Sequence, residues 1–284
     1  LVGGAAVQAG LAGTVRRVLQ SSVTGRTQEM LEVVSSGFGR VLRLDPSTLQ
    51  PVDGFEALVL PQGDPVSWAG VVDERLLLLR GQELAAIGIG AGDAWMTLPV
   101  PFGANVLVQS VRGQGGTSLA FVEGYDTALE TDVVVAVDFS AGLEAIRTRR
   151  VSVPIEAELL AEGDAVVLAE SQRVRVFGRD AFLADGTTAA PRFERTWDDA
   201  TLVTAMTARD SLVVLLNGAA GQRIERAALP SGTWDRADDV SFPGALHHVA
   251  ALSPSGRHFW LVAGSDTRAL HGWSLDGARP GAPD

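Results

Sequence analysis

The sequence predicts an all-β fold of about six repeated four-stranded units, and three observations predict it. Short apolar runs recur along the whole chain. Each run is closed by Gly, Pro, Asp or Ser. Comparable runs return in steps of 48, 51, 45 and 44 residues.

The runs come first. Residues 29–35, 40–44, 75–80, 106–111, 132–139, 165–169, 173–177, 211–216 and 259–263 are rich in Val and Leu. Lengths of about four to eight residues suit strands and are too short for most helices. The turn chemistry agrees. Asp45-Pro46-Ser47-Thr48 and Ser253-Pro254-Ser255-Gly256 put proline where its fixed φ favours a turn. Asn217-Gly218, Asp185-Gly186 and Asp276-Gly277 are dipeptides that accept the positive φ of tight hairpins.

The runs group into units of strand, turn, apolar strand, turn, strand and outer strand. First strands start near Ala57, Asn105, Glu156, Thr201 and Ala245, and residues 14–54 supply an earlier unit. A unit of this length is a β-propeller blade. The expected architecture is therefore a single domain over 1–284, with blades at about 14–54, 55–101, 102–154, 155–199, 200–243 and 244–284; seven blades is the alternative count. The last unit shows three strands, starting near Ala245, His258 and Arg268, before the proline-rich tail. The apolar segment 1–13 is the expected fourth strand, which would close the ring and leave no open sheet edge. Val7, Leu11, Val15 and Val18 also lie at helical spacing. Gly3, Gly4, Gly10 and Gly13 oppose a helix by about 1 kcal/mol each relative to alanine, which favours the strand.

Trp95, Trp197 and Trp234 each stand shortly before a unit boundary. They are read as outer-strand residues packing between blades, since large aromatics are mainly core material; a ring of sugar-stacking aromatics is the alternative.

Ala251 to Gly277 carries a Ser-Pro-x-Gly turn at Ser253, Pro254 and Gly256, then an apolar strand, and then a strand ending at Trp273 before Leu275-Asp276-Gly277. This stretch resembles a WD40-like or YVTN-like propeller repeat, and Arg43 to Leu49 resembles the strand and turn of the same class. The resemblance covers about a sixth of the chain and implies the propeller fold.

Composition narrows the function classes. Hydrophobic residues make up 46% and charged residues 20%, the balance of a packed globule. The absence of cysteine excludes disulfides, thiolate metal sites and a cysteine nucleophile. The net charge of −11 and the absence of any basic cluster argue against nucleic acid as a partner. All 23 basic residues are arginine, and the densest run, Arg147, Arg149 and Arg150, reads as a solvated strand face. No segment reaches the ~20 apolar residues of a membrane span. The chain is expected to act outside the cytoplasm, as a periplasmic, cell-surface or secreted bacterial protein.

Motifs for chemistry are lacking. No GxSxG elbow or P-loop occurs. Gly88-Ile89-Gly90-Ala91-Gly92 precedes Asp-Ala-Trp rather than a helix, so it is not a dinucleotide loop. Ser231-Gly232-Thr233-Trp234 resembles the tail of a sialidase Asp-box without its aspartate. His247, His248, His258 and His271 all fall in the last unit, but adjacent residues on a strand face opposite ways, and no metal-ligand spacing appears.

The candidate site is a set of carboxylates expected at the unit boundaries: Asp53, Glu56, Glu156, Asp198, Asp199, Asp238 and Asp239. Connections there share one face around a propeller channel, where loops on a rigid scaffold carry function. Such a face would attract cations or a basic partner. No cofactor is expected; a divalent cation such as calcium is possible, although no EF-type loop is present. The expected function is a non-enzymatic binding or scaffolding propeller that recognises a protein or small ligand through this face. The alternatives are a propeller hydrolase or lactonase using these carboxylates, and a structural subunit of a surface assembly. The oligomeric state is left open.

Overall fold

A computed structural model describes residues 15–22, 29–35, 40–44, 58–59, 66–72, 75–80, 82–88, 95–98, 105–113, 117–154, 157–208, 210–219, 221–240, 246–252, 258–263 and 269–274, with side chains between Val72 and Trp234. The chain divides into two units, Leu1–Ser152 and Val153–Asp284.

The first unit holds three sheets. They are β1 (Val15–Ser22), β2 (Glu29–Ser35), β3 (Arg40–Leu44) and β4 (Leu58–Val59); β5 (Val66–Val72), β6 (Arg75–Arg80), β7 (Glu83–Gly88) and β8 (Met96–Leu98); and β9 (Val106–Gly113), β10 (Leu119–Asp126), β11 (Thr131–Asp138) and β12 (Arg147–Val151). The second unit holds β13 (Glu158–Glu162), β14 (Ala165–Glu170), β15 (Arg173–Gly178) and β16 (Phe193–Thr196); β17 (Ala200–Ala208), β18 (Ser211–Gly218), β19 (Gly221–Ala228) and β20 (Trp234–Val240); and a sheet of β21 (Leu246–Leu252), β22 (His258–Ala263) and β23 (Ala269–Ser274). Every sheet is an antiparallel meander in chain order. Among the described residues, five sheets therefore show the expected four strands and the last shows three.

Burial explains the strand order. In β6, Leu76 to Leu79 are all fully buried, and in β18 so are Leu212 to Leu216. Residues of a strand alternate between faces, so these second strands are covered on both sides. Each sheet must then pack on a neighbour. Leu77 and Leu79 share a core with Val122, Val135 and Val137 of the next sheet, and Val167 and Val176 share one with Val214 and Leu216. A fully buried leucine contributes about 1.5–3 kcal/mol. The outer strands differ: β16 exposes Glu194, Arg195 and Thr196.

First strands stand beside one another within each unit: β1 by β5 and β5 by β9, then β13 by β17 and β17 by β21. Five of the six contain a register shift near their start, at Val15/Arg17, Val66/Trp68, opposite Glu123/Gly124, at Leu202/Thr204 and at Leu246/Val249. An extra residue bends a strand and leaves a backbone group unpaired. Beside the shift, the preceding sheet accepts a first-strand N–H in two cases. Val108 N–H donates to Gln82 Oε1 at 3.2 Å, and Leu202 N–H donates to the Ser171 carbonyl at 2.6 Å. Both acceptors lie in second-to-third-strand turns. In these two places a hydrogen bond ties a first strand to the sheet before it.

Several expectations change. The run at Ala57 is not a first strand; Leu58–Val59 is the fourth strand of the first sheet, and the next sheet starts at Val66. Pro61 lacks the N–H needed to prolong the ladder. Asp185-Gly186 is not a hairpin turn. It ends a short helix, α1 (Arg179–Asp185), and Gly186 caps it at φ 63°. One apolar anchor, Phe182, holds this helix against Phe177 with ring centroids 5.6 Å apart, too little periodicity to read from sequence. Pairing continues past Asn217 to Gly218↔Gly221, so that turn lies one step further on. The helical reading of Val15 and Val18 fails because both lie in β1. Segment 1–13 and the turns at 45–48, 253–256 and 276–277 lie outside the described residues.

Gly232, in the turn between β19 and β20, has φ +68°, and an added Cβ would meet Phe193 Cγ at 2.8 Å. Gly232→Ala is expected to lower stability by about 1–3 kcal/mol, read from the urea midpoint of unfolding.

Candidate functional site

In a four-stranded meander the second-to-third-strand turn and the link to the next sheet fall at the same end. That link end is where the sequence placed its carboxylates. Trp197, Asp198 and Asp199 form the link between β16 and β17. Trp197 N–H donates to the Gln172 carbonyl in the β14–β15 turn, which anchors the link.

Side chains lock it further. Trp197 is 2% exposed, and its Nε1–H donates to Glu225 Oε2 at 3.0 Å. Glu225, on β19, is itself buried and accepts Arg223 Nε at 2.9 Å. The remaining nitrogens of Arg223 hold both oxygens of Asp199 at 2.9 Å. Arg195 lies 3.6 Å from Glu225 and sits over the Trp234 ring. Trp234 meets Trp197 edge-on, with centroids 5.5 Å apart. The hydrogen bonds that Arg223 donates to Asp199, with the one it donates to Glu225, raise its pKa against the opposing effect of burial, so the guanidinium stays charged. The backbone closes the same corner: a Cβ at Gly218 would meet the Asp199 carbonyl at 2.8 Å.

This arrangement sorts the predicted residues. Asp199 is an ion-pair partner, and Asp198 is exposed beside it. Asp238 and Asp239 are not in a loop; they lie in β20, opposite Ile224 and Arg223. The register therefore brings Asp239 to the strand position facing Arg223. Asp53 and Glu56 fall between β3 and β4 in chain order, inside the first sheet rather than between sheets, and lie with Glu156 outside the described residues. Trp197 and Trp234 are packing residues, as expected, but Trp197 lies in the β16–β17 link rather than on an outer strand. His247 and His248 fall at the β21 register shift, where simple face alternation is interrupted. Among the described residues, no group of three His, Asp or Glu side chains could hold a metal ion.

Sequence reasoning missed Arg223 and Glu225, which are spaced as ordinary strand residues and gain partners only through packing. It read the arginine run on β12 as a solvated strand face; Arg147 and Arg150 are exposed, but their partners were not foreseen. Arg147 faces Asp138 across the β11–β12 pair and bonds its carboxylate, and Arg150 reaches Asp126 at 2.6 Å. Asp126 also accepts the N–H groups of Ala128 and Leu129, shaping the β10–β11 turn. Burial alone would raise the Asp138 pKa. Hydrogen bonds from the Ser140 N–H, Arg147 and the Ser140 hydroxyl outweigh it, and the carboxyl titrates below its usual range.

The chain is an all-β protein of consecutive antiparallel meanders, and its structure fits a propeller-like fold. No family model matches the sequence, and no curated protein matches it. Among solved structures it is similar to Hsv2 of Kluyveromyces lactis, a yeast propeller, at 12% identity and a TM-score of 0.50, over 84% of this chain and 75% of that one. Prolyl oligopeptidase B of Galerina marginata matches at 14% identity and a TM-score of 0.49, over 90% of this chain and 38% of that one. Human WBSCR16 matches at 13% identity and a TM-score of 0.47, over 81% and 69%. Likeness at such identities concerns the fold alone.

Two outcomes test the polar clusters. Glu225→Leu strands Trp197 Nε1–H and part of Arg223, and is expected to cost about 3–5 kcal/mol in urea unfolding. Glu225→Gln keeps an acceptor for Trp197 and is expected to cost about 1–2 kcal/mol. Because the folded pKa of Asp138 is depressed, its contribution is present above the ordinary carboxylate value and lost as pH falls through the lowered one. The stability gap between wild type and Asp138→Asn should therefore shrink between about pH 7 and pH 2. A gap independent of pH contradicts the assignment.

Proposed function

We propose that the meanders form one propeller of about six blades over 1–284, with residues 1–13 as the fourth strand of the last sheet. On this reading the protein is a non-enzymatic binding or scaffolding propeller that recognises a protein or small ligand through its link ends. One observation carries it. The 197–199 link is held rigidly by Arg223 and Glu225 while Asp198 is left exposed beside the clamp. Rigid presentation of an exposed polar loop reduces the entropy lost on binding. The exposed carboxylate of Asp198 also favours a basic partner.

Photo-crosslinking tests the assignment of the binding end. Benzoylphenylalanine placed at Asp198, and separately at Ser231 in the opposite turn of the same sheet, is expected to give a discrete partner adduct only at 198. Adducts at 231 alone, or equal adducts at both, contradict the proposal.

A further inference from the structure

Resting on the reading that link ends bind, we propose that the link end of the β9–β12 sheet docks a short basic segment of a partner protein that inserts apolar side chains between Leu107 and Leu129.

Among the described residues, the exposed large hydrophobics are Leu107, 55% exposed, and Leu129, 68% exposed. Both stand at one end of one sheet. Leu107 is the second residue of β9 and pairs with Tyr125, while Leu129 lies in the turn that joins β10 to β11. Thr127 binds the two segments together, since its N–H and its hydroxyl both donate to the Asn105 carbonyl at 2.9 Å.

The turn is built to hold this shape. Asp126 accepts the N–H groups of Ala128 and Leu129, and Arg150 fixes Asp126 in place. Glu130 closes the turn at φ +50°, a conformation that costs a non-glycine residue energy and persists only where the surroundings enforce it. An exposed leucine on a fixed turn loses little freedom when a partner covers it. Single exposed leucines are ordinary; here two stand at one end of one sheet, one of them on a fixed turn.

Charge selects the occupant. Glu83 and Glu130 are exposed and Asp132 is half-buried, and none has a cation partner among the described residues. Glu83 reaches this rim because its neighbour Gln82 bonds Val108 N–H, one residue beyond Leu107. Arg150, on the adjoining β12, is engaged by Asp126. An apolar pair edged by carboxylates is complementary to arginine or lysine interleaved with apolar side chains, and such complementarity speeds and orients encounter.

The probe is a fluorescein-labelled peptide of alternating arginine and leucine, six residues long, titrated by anisotropy against the full chain. A glutamate–leucine peptide is the control. Wild type is expected to bind the basic peptide and not the acidic one, and more weakly as salt rises. The double variant Leu107→Ser, Leu129→Ser is expected to weaken binding at least tenfold. The triple variant Glu83→Gln, Glu130→Gln, Asp132→Asn is expected to weaken it and to flatten the salt dependence. These positions are at the surface, and an unchanged urea midpoint shows that each variant folds. Absence of peptide binding overturns the proposal, as does equal binding by the leucine variant. If wild type self-associates and the leucine variant does not, the rim takes a second copy and the proposal is also overturned. None of these outcomes touches the crosslinks at Asp198, which decide the wider reading separately.

Discussion

Burial of the second strands on both faces is the constraint from which the rest follows. A strand such as Leu212–Leu216 has no solvent side, so its sheet is stable only between neighbours. One four-stranded meander cannot satisfy itself, and repetition becomes a thermodynamic requirement. The apolar surface is used up between sheets, leaving polar groups for the outer strands and the sheet ends.

The ends then have to solve a second problem. Packed sheets bring carboxylates and arginines close to apolar cores, where an unpaired charge is expensive. Glu225 is tolerated because Trp197, Arg223 and Arg195 surround it, and Asp138 because Ser140 and Arg147 do. The preceding sheet accepts the first-strand N–H groups of Val108 and Leu202. The link ends emerge as rigid, hydrogen-bonded surfaces, and any recognition falls to the residues left over there.

Much of this was legible one residue at a time. Runs such as Ala165–Ala169 and Leu212–Leu216 announce buried strands, and four of the five first strands expected from the repeat begin within two residues of their predicted starts. The helix at Arg179–Asp185 was not legible, because a seven-residue helix with one buried anchor has no period to detect. Neither was the Arg223 clamp. An arginine two residues from a glutamate on a strand looks solvent-facing until the neighbouring link packs beside it. The carboxylate list was read partly in register and partly not: Asp198 and Asp199 lie in a true link, whereas Asp238 and Asp239 belong to β20 because pairing with β19 extends further than the turn residues suggest.

By itself the sequence determined the strand class, the meander order and the repeat length, since strand period and turn chemistry are local properties of neighbouring residues. It also determined the acidic, lysine-free and cysteine-free surface. The tertiary structure alone decided which charges are paired, where first strands bulge and which leucines stay exposed. Those outcomes depend on contacts between residues far apart in the chain, such as Trp197 with Glu225 and Gln82 with Val108, and no local pattern encodes a distance in space.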